Sequence, residues 1–586
     1  MPSNRRIYWA LGILLVLSAV IRGFVAGFIE LGNDEVYYWT YAKFPALSHF
    51  DHPPMVGLVI QFFTFNLFFD SEFFLRLGSV IIGTLSTGMM FLIGSKIKNP
   101  LTGLYAALLF TSSFYGFILS GTFILPDSPQ VFFWLLTVYC LLQSIPEQDV
   151  TRSGRNWVFF AGMTVGLALL SKYHSLFLIG GAFLYLLFYN RKWFLVKETY
   201  GAFLLAILCF LPVVFWNIDN DYISFTFHEN RVGFTSSGIQ PQYFLTEVVG
   251  QVFYNNPVNV FIIILALAAL AGKGNFLNAS YRRLILWLSV PLILVFLAFS
   301  LFRSTLPHWT GPGYLGLILI AAAYLSEPGR HRSRLRIIPI PVAIALAFVM
   351  TVVVVGTGQI RYGWIPLQRW KMDDVSLDMY GWRQLGEKFA TVSKWDEDHY
   401  LIDQGSPLVT FRWFPAANFD YYVARNIGRK VYAFGELERI HKYYWINRER
   451  GNLKQGSDAY YIALSDDYED PVALYGKMYE MIHPSDTIFI LRGSDTVRRA
   501  FIYRLIDLKQ AIVYWPADTI KPSGHGEKDT LQFFLNQIMG NPRWLELLQK
   551  KADQQGKSLN EMVRAEAKKM KEESRDLLKQ VDSLGR

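Results

Sequence analysis

Long apolar stretches recur along this chain, and they constrain its fold more than any other feature. A helix that crosses the hydrocarbon core of a bilayer needs about 20 predominantly apolar residues. The 586 residues are 52% hydrophobic and only 18% charged, whereas about 25% of a soluble domain is usually charged. The sequence therefore predicts a polytopic α-helical membrane protein with about 11 spans, within a range of 11 to 13. The eleven candidate stretches are 7–29, 74–95, 101–119, 126–144, 157–171, 174–188, 200–217, 252–271, 284–301, 311–325 and 337–357.

The first stretch is long and many others follow it, so we interpret it as an uncleaved first helix rather than a signal peptide. Cys140 and Cys209 both lie within apolar stretches. Two such cysteines predict neither a disulfide framework nor a zinc-type cysteine cluster.

Lys and Arg concentrate in alternate loops, which predicts the orientation of the chain. Arg5 and Arg6 precede the first stretch, and the densest basic cluster, RHRSRLR at 330–336, precedes the last. The positive-inside rule then places the N-terminus in the cytoplasm. Because the number of spans is odd, everything beyond residue 358 is expected outside. The net charge of +9 follows largely from this topology and does not predict nucleic-acid binding.

The character of the sequence changes at residue 359. Short β-rich runs alternate there with helical stretches, so 359–527 is predicted to be an extracytoplasmic α/β domain. Helices are predicted over 381–395 and 414–427. The predicted strands are HYLIDQG, KVYAFG, AYYIALS, DTIFILRG and AIVYWP.

Residues 528–586 are polar and charged, and they are predicted to form a helical C-terminal extension. Pro542 follows Asn541 as a proline follows a helix cap. Gly556 is a predicted helix stop, and Ser558 with Glu561 forms a capping-box pattern.

The first outer loop, 30–73, holds an acidic pair just beyond the first span. Asp34 and Glu35 are adjacent, so on a helix their side chains point about 100° apart. A desolvated carboxylate at Asp34 has a raised pKa and can serve as a base. The alternative is an interfacial acidic pair that only ends a helix.

The same loop contains the segment HFDHPP, in which two prolines fix the backbone. Asp51 with His49 or His52 forms a compact polar cluster. Such a cluster can hold a divalent metal ion or pair with a phosphate. The alternative is a loop that turns the chain back towards the membrane.

Further ionisable residues are predicted at the outer face. Lys172 stands among apolar residues, and such a position favours a functional role, here a phosphate contact. Arg76 is either a snorkelling anchor or a contact for a lipid phosphate, and Asp127 either pairs with a cation or caps a helix. The other candidates are His174, His228, Glu229, Arg231, Arg303 and His308.

Six segments in a fixed order resemble those of glycosyltransferase family 39, which includes dolichyl-phosphate-mannose protein mannosyltransferases and a bacterial ArnT-like branch. The match extends over residues 1 to about 360, so 1–358 is expected to be a transmembrane GT-C catalytic domain. The resemblance implies transfer of a sugar from a polyprenyl monophosphate carrier to a lipid, glycan or protein acceptor. It implies the outer side of the cytoplasmic (inner) membrane as the location. The six segments are NDEVYYW, HFDHPPM, EFFLRLGSV, ILPDSP, LSKYHSL and LPHWTGPGY.

The resemblance also implies roles for individual residues. Asp34 is expected to deprotonate the acceptor hydroxyl, with Glu35 in support and Asp51 as a further catalytic carboxylate. The lipid A enzymes of the family carry Phe-Glu-Lys-Pro-Pro where this chain has Phe50 to Pro54. A fixed cation is thus replaced by the titratable His52, which argues against lipid A aminoarabinose transfer specifically. The residues expected to bind the carrier phosphate or substrate are His52, Arg76, Asp127, Lys172, His174, Arg231, Arg303 and His308.

Two other classes of protein are compatible with so many spans. A transporter or flippase for lipid-linked sugars usually shows repeat-related halves and polar residues near the bilayer midplane. This sequence shows no internal repeat, and its polar residues gather at one surface. A membrane-anchored binding protein, in which the tail carries the function, leaves the loop from Asp34 to Pro54 unexplained.

Overall fold

The structure is a computed structural model that describes most of the chain. The described residues are 3–147, 149–232, 238–272, 274–328, 337–370, 372–512, 535, 538–539 and 542–569. The chain forms two compact units, Met1–Tyr514 and Trp515–Arg586.

Each of the eleven apolar stretches coincides with a helix or with a broken pair of helices. Among the described residues, five helices are long and apolar enough to cross a membrane: α1 (Asn4–Phe28), α4 (Glu72–Ile97), α9 (Lys197–Asp219), α13 (Ala279–Ser300) and α15 (Ile340–Tyr362). The pair α11 (Pro241–Tyr254) and α12 (Pro257–Ala271) is bent by 97° and counts as a sixth if it is one span. The other helices of this part are α2 (Asn33–Lys43), α3 (Met55–Phe63), α5 (Pro100–Thr111), α6 (Asp127–Leu142), α7 (Arg152–Ser171), α8 (Leu176–Tyr189), α10 (Ile223–Val232) and α14 (Gly311–Leu325).

Small residues allow these helices to pack closely. A Cβ atom on Gly94 of α4 would lie 2.7 Å from the Cα of Gly103 in α5, and one on Gly162 of α7 would lie 2.2 Å from the carbonyl oxygen of Ala202 in α9. Such close approach of backbones is the usual basis of helix association in membranes, where burial of apolar surface gives little driving force.

The part of the chain that follows residue 358, here called the tail, contains a five-stranded sheet of order β2-β1-β3-β5-β4. Strand β1 runs parallel to both β2 and β3, whereas β5 runs antiparallel to β3 and β4. The predicted strands KVYAFG, AYYIALS and DTIFILRG contain or lie in β2, β3 and β4. The bounds of the strands are Leu408–Thr410, Val431–Ala433, Ala459–Leu464, Tyr479–Arg492 and Asp495–Leu508 for β1 to β5.

Two strand predictions have other outcomes. HYLIDQG is not a strand, because 399–405 follow helix α16 (Trp382–Asp398) as a series of turns. Most of AIVYWP lies outside the described residues. The two predicted helices are confirmed, the second as α17 (Trp413–Asn418) continued by a π-helix and a 3₁₀ turn up to Ile427. The remaining helices of this region are α18 (Leu437–Ile440), α19 (Tyr443–Arg450) and α20 (Pro471–Tyr475).

The tail is hydrogen-bonded to the segment that leads into α2. Three bonds hold residues 30–33 from the tail side, and together they fix the start of the helix that carries the predicted base. They join the Glu30 carboxylate to the Trp382 N–H, the Leu31 N–H to the Tyr422 hydroxyl and the Asn33 N–H to the Asp378 carboxylate, over 2.7, 2.6 and 3.2 Å.

The second unit contains a helix over Pro542–Gln555 and another over 559–569. Gly556 has φ +65° and ends the first of them, as a glycine C-cap does. The Glu561 carboxylate accepts from the Ser558 N–H at 3.0 Å, and the Ser558 hydroxyl accepts from the Glu561 N–H at 3.3 Å. The predicted capping box is therefore confirmed. Asn541 lies outside the described residues.

Candidate active site

A large cavity of about 1430 Å³ is lined by residues of the helical part and by three residues of the sheet-containing region that follows it. Its inner part is apolar, with Phe203, Ile207 and Phe210 of α9 among its walls. The first outer loop and the ends of α6 and α7 supply polar side chains to the same cavity. Seven of the eleven predicted site residues line it: Asp34, Asp51, His52, Asp127, Lys172, His174 and His308.

Asp34 lies in the first turn of α2, where residues 30–33 fix the helix start. Its carboxylate faces the cavity, and none of the described residues donates a hydrogen bond to it. Burial raises the pKa of Asp34 above its usual range, and the charges of Asp51 and Glu35 act in the same direction. Asp34 is exposed to the open cavity, so a substrate hydroxyl can reach its carboxylate, and a carboxylate with a raised pKa is well suited to accept a proton from that hydroxyl.

Asp51 is held very differently from Asp34. Its Oδ1 accepts hydrogen bonds from the hydroxyls of Tyr37 and Tyr41, at 2.8 and 2.5 Å. Its Oδ2 accepts from the Nδ1 of His52 at 3.0 Å. Although burial opposes ionisation, His52 and these hydrogen bonds hold the pKa of Asp51 well below its usual range. Asp51 is therefore a fixed negative charge that positions its neighbours, and it is a poor base.

Lys172 and Asp127 form a buried ion pair that lines the same cavity as Asp34 and Asp51. The Nζ of Lys172 lies 2.7 Å from the Oδ2 of Asp127, and the hydroxyl of Tyr115 donates to Oδ1 at 3.0 Å. An ammonium group has three N–H donors, so two remain for a ligand. Among the described residues that line the cavity, Lys172 is the only Lys or Arg.

Imidazoles supply most of the other polar surface. The ring of His174 packs against Phe296 and Trp309, with centroids 4.9 and 5.4 Å apart. Burial lowers the pKa of His308 to about 4, with Lys172 acting in the same direction. His308 is therefore a neutral hydrogen-bonding group near pH 7 rather than a cation.

Glu35 and Arg76 do not reach the cavity. The Nε and Nη2 of Arg76 donate to the two carboxylate oxygens of Glu35, at 2.8 and 2.5 Å. The remaining three N–H bonds go to the carbonyls of Ala26, Ile29 and Glu30. All five donors of the guanidinium are thus used, and its side chain is 0% exposed. The structure places this pair as a brace beneath α2, which leaves Arg76 no donor for a carrier phosphate.

The structure gives different locations for the remaining predicted residues. Arg303 lies in the turn after α13 and is not among the residues that line the cavity. His228 lines it, and its Nε2 donates to the carbonyl of Asp51 at 2.8 Å. Glu229 also lines it. The side chain of Arg231 lies outside the described part of the chain.

The residues present do not fit the predicted metal ion at Asp51 and His52. Within the described part of the chain, no three His, Cys, Asp or Glu side chains are arranged to hold a metal. Both carboxylate oxygens of Asp51 already accept hydrogen bonds. No catalytic step is therefore assigned to a metal.

The sequence gives no sign of three further residues that line the cavity. Trp413, Glu438 and His441 come from the tail, about 400 residues after Asp34. Lys442 is buried beside them, and its Nζ lies 3.0 Å from the Nδ1 of His49. His49 itself does not line the main cavity. Only a family alignment or the folded structure brings residues so distant in sequence together.

Comparisons with known proteins agree with this arrangement. Residues 51–216 match the sequence model of the dolichyl-phosphate-mannose-protein mannosyltransferase family. Lipid A galacturonosyltransferase RgtD from Rhizobium johnstonii is 22% identical over 299 residues, which are 50% of this chain and 61% of that protein. The chain thus aligns with less than two thirds of this relative's length.

Among solved structures, ArnT from Cupriavidus metallidurans bound to undecaprenyl phosphate superimposes with a TM-score of 0.56 and 14% identity, covering 84% of this chain and 97% of that one. At this identity the match establishes the fold. Residues 51–216 thus match the model of the dolichyl-phosphate-mannose-protein mannosyltransferase family, and the chain has the ArnT-like GT-C fold that the resemblance to glycosyltransferase family 39 predicts.

Proposed function

We propose that this protein is a membrane glycosyltransferase that moves a sugar from a polyprenyl monophosphate carrier to an acceptor by inverting displacement. The reaction takes place on the outer side of the cytoplasmic membrane, with the N-terminus inside and the α/β domain outside. Residues 1–358 form the catalytic domain with about 11 spans, 359–527 the α/β domain and 528–586 a helical extension. The acceptor is a lipid, a glycan or a protein.

One observation carries the proposal, namely a single cavity that joins an apolar passage to a polar end containing an unpartnered carboxylate. A second apolar cavity of about 390 Å³ between α7, α8 and α9 shares Ile179, Phe203 and Ala206 with the first. An isoprenoid chain fits such a path, while its phosphate and sugar fit the polar end.

Asp34 is the base in the proposed step. The acceptor hydroxyl attacks the anomeric carbon as Asp34 takes its proton, so that the new C–O bond forms while the bond from carbon to the phosphate oxygen breaks. The carrier leaves as a polyprenyl phosphate and keeps the electron pair of the broken bond. Because attack and departure occur on opposite faces, the anomeric configuration is inverted.

Lys172 stabilises the charge that develops on the leaving phosphate. A preorganised cation in a partly dry site does this effectively, because it needs no reorganisation during the reaction. Asp127 holds the Nζ of Lys172 from one side, and two N–H donors remain for phosphate oxygens. His52, His174 and His308 add hydrogen bonds from the same end of the cavity.

The flippase alternative receives no support. The curated relative RgtD is, by its name, a transferase, and this sequence shows no internal repeat of the kind that transporters usually have. The relative RgtD acts, by its name, on lipid A with a galacturonosyl group. A lipid acceptor and an acidic sugar are therefore the first substrates to test.

The test uses purified protein in detergent with a panel of polyprenyl-phosphate sugars and a membrane extract as the acceptor source. Release of free polyprenyl phosphate is measured for the wild-type protein, Asp34→Asn and the control Asp373→Asn. Asp373 is an exposed acid that does not line the cavity. We expect release by the wild type and the control, and a loss of about 100-fold or more in Asp34→Asn.

Three results contradict parts of the proposal. Equal release by Asp34→Asn and the control removes Asp34 as the base. A product that keeps the anomeric configuration of the carrier sugar removes the direct displacement. If a folded wild-type protein consumes no donor even with acceptor present, the transferase function itself is wrong.

A further inference from the structure

Three residues of the α/β domain, Trp413, Glu438 and His441, line the cavity beside the loop 30–73. The rings of Trp413 and His441 are stacked at 25° with centroids 5.6 Å apart, and both line the cavity. The ring of Tyr37, whose hydroxyl donates to Asp51, lies 4.9 Å from Trp413. Glu438 also lines the cavity and is exposed. We call Trp413, His441 and Tyr37 the aromatic wall.

The topology of the sheet explains why the wall forms here. Trp413 follows the carboxyl end of β1, and Glu438 and His441 follow the carboxyl end of β2. These strands are parallel neighbours, and from β1 the chain goes to β2 on one side and returns to β3 on the other. Ligands of open α/β sheets bind outside the carboxyl ends of the parallel strands, and these are the ends that present Trp413, Glu438 and His441 to the cavity.

The backbone of His441 supports a functional role for this end of the sheet. Its φ of +50° with ψ of −130° is a conformation that residues with a Cβ rarely adopt. Such conformations persist where the surroundings fix them, often at ligand sites. Phe50 and Phe227 pack against the ring with centroids 5.0 and 5.7 Å away, so the imidazole is held in place.

We infer that the aromatic wall is a sugar-binding subsite that packs against the face of a pyranose ring, with Glu438 accepting hydrogen bonds from its hydroxyls. The C–H bonds on one face of a pyranose are weakly positive, and the face of an aromatic ring is weakly negative. The neighbouring carboxylates accept from hydroxyl donors. This inference deepens the proposed function and rests on it, because the same cavity holds the reacting groups.

The pyranose comes either from the carrier-linked donor or from a sugar residue of the acceptor. Kinetics distinguish these two sources. If Trp413→Ala raises KM for the donor about tenfold, equivalent to about 1.4 kcal/mol, the wall holds the transferred sugar. If it raises KM for a glycan acceptor by that factor and leaves the donor KM unchanged, the wall holds the acceptor. If neither KM changes, the inference is wrong although the transferase function stands.

A binding measurement tests the wall without turnover. Saturation-transfer NMR is recorded with a panel of methyl glycosides on the wild-type protein, Trp413→Ala and Trp413→Phe in detergent. Trp395→Ala is the matched control, because Trp395 stacks on His399 at 4.1 Å but lies on an exposed part of α16 outside the cavity.

We expect saturation of the ring protons of at least one glycoside by the wild type and Trp395→Ala, a loss of about tenfold in Trp413→Ala, and partial retention in Trp413→Phe. Equal saturation by all four proteins, or none by the wild type, overturns the inference. Saturation that depends on Trp413 in a protein that consumes no donor supports the subsite and removes the transferase function. The two failures are thus distinguishable.

Discussion

Replacing Arg76 with Met is expected to destabilise the protein strongly, because Arg76 is a buried brace and not a surface anchor. The substitution leaves the Glu35 carboxylate buried with only the N–H groups of Gly32 and Ile124, both at 3.0 Å, as partners. Removing one member of a buried ion pair costs about 3 to 5 kcal/mol. The loss of the donors to three backbone carbonyls adds to this cost.

A half-exposed ion pair of the same chemistry provides the control. Arg383 lies 2.6 Å from Glu72, and the two side chains are 49% and 11% exposed. Because water still reaches the Arg383 side of this pair, it contributes less than a fully buried pair, so Arg383→Met should cost less stability than Arg76→Met. The double variant Arg76→Met with Glu35→Gln should recover part of the loss, because it no longer buries an unpaired charge.

Unfolding of the wild type and the three variants is followed by tryptophan fluorescence in detergent with added denaturant. The expected order of stability is wild type, Arg383→Met, the double variant and then Arg76→Met. If Arg76→Met is as stable as Arg383→Met while its KM for the donor rises, Arg76 binds the carrier phosphate. Its assignment as the structural partner of Glu35 is then wrong. If the double variant is no more stable than Arg76→Met, the cost does not come from the unpaired carboxylate.

Three further predictions follow from the site and its supports. The kcat/KM should fall as pH drops through the raised pKa of Asp34, at a higher pH than the usual aspartate value; an acid limb at or below pH 4 contradicts this. Burial raises the pKa of Glu30 from 4.5 to about 7. Between these two pH values the folded protein retains a proton that the unfolded chain releases, so the free energy of unfolding falls as pH rises through this range. Glu30→Gln should therefore be more stable than the wild type at pH 8, by at most about 3 kcal/mol, and nearly equal to it at pH 4; equal thermal unfolding at pH 8 contradicts the assignment. Gly162→Val should lower the thermal stability, because its Cβ would lie 2.2 Å from the Ala202 carbonyl, whereas Gly12→Val, with nothing within 4 Å, should not.

The sequence predicts where the candidate site lies in the chain better than it predicts the hydrogen bonds and ion pairs between the residues of that site. Helical period, apolar length and the asymmetry of basic residues place Asp34, Asp127 and Lys172 at one face, because each is a local property of the chain. The bonds of Arg76 depend on partners elsewhere in the fold, so the sequence leaves an anchor and a phosphate ligand equally open. Strand β5 was not predicted, since the charged residues Arg498, Arg499 and Arg504 interrupt its apolar residues, while its partners β3 and β4 supply the pairing. The strand prediction at 399–405 fails for the opposite reason, because apolar composition alone does not require pairing.

The hydrogen bonds at residues 30–33 set an order of events during synthesis. Glu30 and Trp382 are separated by 352 residues, and ribosomes add about 5 to 20 residues per second. The segment that positions Asp34 therefore lacks its partners for about 20 to 70 s after it has been made. During that interval the first span and its loop exist without a completed active site. Under the proposed function, catalytic competence therefore arises only after the α/β domain has been synthesised and has folded, so an incomplete chain is not expected to consume a carrier-linked sugar.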